Sequence, residues 1–139
     1  MTSTNFETLS RAIEAWNRGD LEAALEAIDP EVTWGTANIF PDATGTFRGH
    51  EGVREFWRLF REPWEEIRLD VERFVEIGEK IVLKARFSAT GRDSGTKVDA
   101  VFGQVFTFRG DRLIDFQAFS DFAEAAAAAG ANPDLARPP

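Results

Sequence analysis

The sequence predicts one α+β domain in which a strongly curved sheet and three helices enclose a mostly apolar pocket for a small molecule. Three observations carry this. Apolar residues recur at three- and four-residue steps as far as Arg61 and then alternate every second residue from Ile67 onward, so helices precede strands. The alternating stretches follow one another across short glycine turns, as antiparallel neighbours do. Thirteen Phe and four Trp, against no Tyr, fill the interior with large apolar rings and leave no phenol to act as an acid.

The elements follow in order. Phe6, Leu9, Ile13 and Trp16 form one apolar helical stripe. Gly19 ends that helix and Asp20 caps the next, which carries Leu21, Ala24, Leu25 and Ile28 and is stopped by Pro30. Val32, Thr33 and Trp34 read as a short strand, and 35–49 as a long loop that could form a pocket rim. A third helix over about 50–61 presents Val53, Phe56, Trp57 and Phe60. The first long strand alternates through Ile67, Leu69 and Val71, then breaks at Phe74 and Val75 as a bulged, bent strand would. Ile81, Leu83, Ala85, Phe87 and Ala89 alternate in the next. A third places Val98, Ala100, Phe102, Gln104, Phe106 and Phe108 on one face, and a fourth Ile114, Phe116 and Ala118. Asp121 caps a short Ala-rich helix, the ordered core spans about 6–130, and 131–139 reads as a loose tail of the single 1–139 domain.

Composition excludes several function classes. The net charge is −8 and the basic residues are interleaved with acidic ones, so neither nucleic acid nor an anionic membrane is an expected partner. With no Cys and one His, the common zinc and iron ligand sets are not expected, and no glycine loop of a nucleotide-binding type points to an organic cofactor. Residues 1–7 carry neither a basic nor an apolar leader segment, which makes the cytoplasm the expected location.

The helix–helix–strand–helix–meander order, with Trp16-Asn17-Arg18-Gly19-Asp20, with 47–56 (Phe-Arg-Gly-His-Glu-Gly-Val-Arg-Glu-Phe) and with 104–113 (Gln-Val-Phe-Thr-Phe-Arg-Gly-Asp-Arg-Leu), resembles the SnoaL-like branch of the nuclear transport factor two-like, ketosteroid-isomerase-like superfamily. The resemblance spans roughly 6–130 and implies a cone-shaped barrel, frequent homodimers, and isomerases, cyclases, dehydratases, epoxide hydrolases or non-catalytic binders as functions. In ketosteroid-isomerase-like members a Tyr falls at Ala12, an Asp base near Gly35 and an acidic oxyanion donor at Gln104. The epoxide-hydrolase pattern would fall at Arg86-Phe87-Ser88 and Ala118, where both aspartates are missing. Neither reaction transfers.

The candidate catalytic residues are therefore Gln104, Asp42 and His50. Gln104 interrupts an apolar strand face, so it is either a donor to a ligand oxygen or a core amide with an internal partner. Asp42, in the rim loop with Asn38, is a base if lowered into an apolar pocket and a turn residue after Pro41 otherwise. His50, the only imidazole, is a proton shuttle or a polar residue at a helix start. Trp16, Trp34, Asn38, Phe56, Phe60, Phe87, Phe102 and Phe106 are the candidate ligand contacts, the aromatics being core by default. Val101 and Val105 are apolar on the otherwise polar outer strand face, where a homodimer contact is expected. The functions in view are cofactor-independent proton transfer on a small hydrophobic molecule, ligand binding without chemistry, and a homodimer acting through its outer sheet face as an interaction module.

Overall fold

The computed structural model describes residues 3–37 and 45–139. Helix α1 spans Thr4–Asn17, and the Phe6 amide of its first turn donates to the Ser3 hydroxyl at 3.0 Å. Helix α2 spans Leu21–Leu25, with Asp20 accepting from the Ala23 amide. It is shorter than the expected helix. Ile28 instead opens strand β1, Ile28–Ala37, and Pro30 sits inside it, where register to β6 breaks between Ile28 and Thr33 and no ladder donor is required.

Strand β2, Gly45–Arg48, occupies the end of the segment expected as a loop and pairs with β1 through Trp34 and Phe47. Four residues without clear alternation gave no periodic signal. Helix α3 spans Gly49–Arg61 and buries Val53, Phe56 and Phe60. Strands β3 (Trp64–Ile77), β4 (Lys80–Gly91), β5 (Lys97–Arg109) and β6 (Arg112–Phe119) form the expected meander, and α4 (Phe122–Ala129) follows.

The sheet order is β2-β1-β6-β5-β4-β3, antiparallel except for β1 beside β6. It is a curved, open sheet with β2 and β3 at its edges. One core lies on the concave face, where α1, α2 and α3 meet Phe74, Leu83, Phe87, Phe102, Phe106 and Phe116.

Two bulges decide which residues face this core. Glu72 is the extra residue between Val71 and Arg73, so the inward set passes from Ile67, Leu69 and Val71 to Phe74. Ile114 is the extra residue opposite Thr107 and Phe108, so Leu113 takes the core position that alternation assigned to Ile114. Ala100 is on the inner face as expected, opposite Phe87, but in the exposed start of β5.

The fourth helix covers the other face. Ala125 and Ala126 pack on Val75, Val82 and Val105, and Gly103 permits the approach because a Cβ there would meet the Ala125 methyl at 2.7 Å. Val105 is therefore buried rather than free for a dimer contact, and Val101 is left at 36% exposure.

Edge strand β3 is held from both directions. The Asn17 amide donates to the Leu69 carbonyl at 2.8 Å and accepts from the Leu69 amide at 2.9 Å, tying the end of α1 to the sheet. The segment expected as a loose tail instead returns along the same edge. Phe74 and Arg137 exchange two backbone hydrogen bonds of 2.8 and 2.9 Å, and the Arg137 guanidinium lies 5.0 Å from the Phe74 ring centre. Both contacts satisfy edge groups that would otherwise be open to pairing.

Candidate functional site

Between the three inner helices and the concave sheet lies a cavity of about 60 Å³. Its helical wall comes from Leu9, Ala12, Ile13 and Trp16 on α1, Ala24 on α2, and Phe56 and Phe60 on α3. Its sheet wall comes from Trp34, Leu69, Phe102, Gln104, Phe106, Leu113 and Phe116. The aromatic residues support one another: Trp16 stacks near Trp34 (5.9 Å) and Phe56 (6.0 Å), Trp34 lies 4.3 Å from Phe116, and Phe56 stacks on Phe60 at 5.1 Å. Such a wall is stiff, because each ring is fixed by its neighbours.

Two polar atoms in this wall have no partner. Gln104 is 4% exposed and its Oε1 is buried without a hydrogen bond; the buried Trp34 Nε1 is in the same condition. The cause lies in the register. Gln104 stands opposite Leu83 on β4 and Ala118 on β6, and between Phe102 and Phe106 on its own strand, so none of these side chains can bond it. Trp34 stands opposite Phe47 and Phe116. An unsatisfied buried group costs about 1–3 kcal/mol, so each weighs against the folded state unless a partner reaches it.

Six of the eight expected ligand contacts line this cavity: Trp16, Trp34, Phe56, Phe60, Phe102 and Phe106. Phe87 does not; it is buried between Phe60 and Trp64, at 5.4 and 5.7 Å. Asn38 and Asp42 lie outside the described residues. His50 is on the first turn of α3, away from the cavity wall, and its Nε2–H donates to the Ile28 carbonyl at 2.7 Å. That contact ties α3 to the start of β1.

The positions matched to ketosteroid-isomerase chemistry separate in the same way. Ala12 and Gln104 line the cavity. Gly35 follows the inward Trp34 and faces the opposite side of the sheet, where a Cβ would collide with the Gln117 amide. Arg86, matched to the epoxide-hydrolase pattern, is also outward and is bonded by Glu72 at 2.8 Å and Asp99 at 2.9 Å, which raises its pKa. Leu9, Ala12, Ile13, Leu69 and Leu113 are lining residues that aromatic-based reasoning passed over. Their signal was present in the helix stripe for Leu9 and Ile13, but the Leu113 position depended on the bulge.

Among the described residues, no titratable side chain lines the cavity, and no group of three His, Asp or Glu is placed to hold a metal. Outside the wall, the Arg61 guanidinium lies 4.5 Å from the Trp57 ring centre, and Trp57 meets Trp16 edge-on at 4.5 Å. Burial lowers the Arg61 pKa, and its Nη1 has no partner. No helix of the described residues is long and apolar enough to cross a membrane.

The family model described as a SnoaL-like domain matches residues 9–116 of this chain. The chain belongs to the SnoaL-like family. Its SnoaL-like fold is similar to that of an NTF2-like protein of unknown function from Burkholderia pseudomallei K96243, at 31% identity over 91% of this chain and 97% of that one, TM-score 0.79. It is also similar to the fold of TerC, co-crystallised with polyporic acid, at 22% identity over 88% and 95% of the two chains, TM-score 0.78. A protein from Jannaschia sp. CCS1 bearing the name SnoaL-like polyketide cyclase matches at 21% identity over 94% of each chain, TM-score 0.73. These two likenesses below 25% identity concern the fold alone. None of the curated proteins matches this SnoaL-like chain in sequence.

Proposed function

We propose that this SnoaL-like domain binds one small, neutral, largely apolar molecule in the cavity between α1, α3 and the concave sheet. The observation that carries the reading is the wall itself: an aromatic enclosure with unpartnered polar atoms at Trp34 and Gln104 and no titratable side chain among its described residues. A charged ligand entering such a wall would lose its hydration without a counter-charge, which disfavours it by several kcal/mol. Proton-transfer chemistry needs a base within hydrogen-bond reach of the substrate, and the described wall supplies none.

The test is a thermal-shift screen of small neutral cyclic compounds against wild type and Ala12→Leu, which places three more carbons into the α1 side of the cavity. A ligand at a hundred times its dissociation constant adds about 2.7 kcal/mol of stability. Upward shifts in wild type that vanish in a folded Ala12→Leu variant support the reading. Shifts equal in the two proteins would place binding elsewhere and sink it.

A second reading, isomerisation or cyclisation with Asp42 as base, is favoured by the sequence, in which Asp42 is the one acid of the segment between β1 and β2. Turnover of a screened ligand, abolished by Asp42→Asn, would establish it. Binding without product formation would leave the first reading alone.

A further inference from the structure

The two unpartnered wall atoms are of opposite kind. Trp34 Nε1 is an N–H donor and Gln104 Oε1 a carbonyl acceptor, and the two residues that carry them line the same cavity. Resting on the binding function proposed above, we infer that the cavity selects a neutral molecule about the size of one substituted ring that carries both a hydrogen-bond acceptor for Trp34 and a donor for Gln104, as a hydroxyaryl ketone does.

The size follows from the cavity. At about 10–15 Å³ of such space per water and about 30 Å³ of liquid per water, 60 Å³ corresponds to about four to six waters, or roughly 120–180 Å³ of material. That fits a monocyclic compound with one or two substituents. A fused tetracycle would need the stacked wall of Trp16, Phe56 and Phe60 to separate.

The polarity follows from the alternative of water. A buried water needs two to four polar partners. Two of its residues, on strands separated by β6, carry one unpartnered donor and one unpartnered acceptor, and the other lining side chains are apolar. A cluster of four to six waters would leave most of its own hydrogen bonds unmade. An organic ligand with an apolar body and two polar groups satisfies both protein atoms and wets nothing.

Neutrality follows from the same wall. A carboxylate would accept from Trp34 but meet the Gln104 carbonyl oxygen as a like partial charge. An ammonium would face no anionic side chain among the described lining residues.

The experiment uses the full chain and two ring compounds of closely similar shape, 4-hydroxyacetophenone and 4-ethyltoluene, titrated while the indole N–H signals are followed by ¹⁵N–¹H NMR. Four Trp give four indole signals, and Trp34→Phe identifies the one that matters. The expected result is that 4-hydroxyacetophenone binds about 3- to 10-fold more tightly than 4-ethyltoluene and moves the Trp34 indole signal downfield, while 4-ethyltoluene does not. One net hydrogen bond of about 1 kcal/mol corresponds to about 5-fold in affinity. Trp34→Phe and Gln104→Leu should each weaken the hydroxyketone about 3- to 10-fold more than they weaken the hydrocarbon. Gln104→Met serves in place of Gln104→Leu if the latter does not give a native spectrum.

Equal binding of the two probes, or hydroxyketone affinity unchanged in both variants, overturns the donor–acceptor inference while leaving the apolar cavity intact as a binding site. Binding of neither probe to wild type overturns both.

Discussion

Replacing Gln104 by Leu should make the unliganded protein more stable, which is the opposite of what a buried polar residue usually does when it is removed. Gln104 is 4% exposed, its Oε1 has no partner, and its four nearest positions on the sheet face are Leu83, Ala118, Phe102 and Phe106. The unmade hydrogen bond costs about 1–3 kcal/mol in the folded state, and the unfolded chain regains it from water. Leu has nearly the same reach and adds apolar contact to the wall. The expected gain is therefore about 1–3 kcal/mol. For a chain of 139 residues a change of 1 kcal/mol moves Tm by about 3–5 °C, so the rise should be about 3–15 °C. The assay is thermal unfolding of ligand-free protein followed by circular dichroism, repeated in urea so that a change in midpoint can be separated from a change in slope. A fall in Tm of about 3 °C or more, with a native spectrum, would mean that the amide is satisfied in solution. The reasoning behind both the ligand class and the cavity's cost would then be refuted.

Two substitutions and one truncation test how the cavity is framed. Asn17→Ala removes both hydrogen bonds to the Leu69 backbone and should cost about 2–3 kcal/mol; urea unfolding measures it, with faster exchange of the Leu69 amide as the local signature. Gly103→Val drives a side chain into the Asp121 carbonyl and the Ala125 methyl, so a loss of about 1–3 kcal/mol is expected by thermal unfolding, with early exchange of the α4 amides; an unchanged Tm would contradict the close packing of α4 on β5. Removal of residues 133–139 frees the Phe74 amide and carbonyl at the sheet edge and should lower stability by about 1–3 kcal/mol, while 4-hydroxyacetophenone affinity stays within about 2-fold because none of these residues lines the cavity.

The sequence by itself determined the fold class, the three helices of the concave face and the four-strand meander, because each rests on a local period. The Phe6–Leu9–Ile13–Trp16 stripe can bury one face only as a helix, and the alternation from Ile81 to Ala89 only as a strand. It also determined that Gln104 would be unusual, since a polar residue between Phe102 and Phe106 is visible without coordinates. Tertiary structure alone decided the rest. Ile28 entered β1 by pairing with Leu113 of β6, and Pro30 lies in the register break that follows, where no ladder donor is required. Leu113 displaced Ile114, and Phe74 turned inward, because single-residue bulges reverse which side chains face the core, and a bulge is a property of two paired strands rather than of one. Val105 became buried because α4 folds over β5, and Phe87 left the cavity because Trp64 and Phe60 enclose it. The unpartnered state of Trp34 and Gln104 belongs to this second group. Whether a buried polar atom has a partner depends on residues brought beside it from other strands and helices, and no local pattern records that.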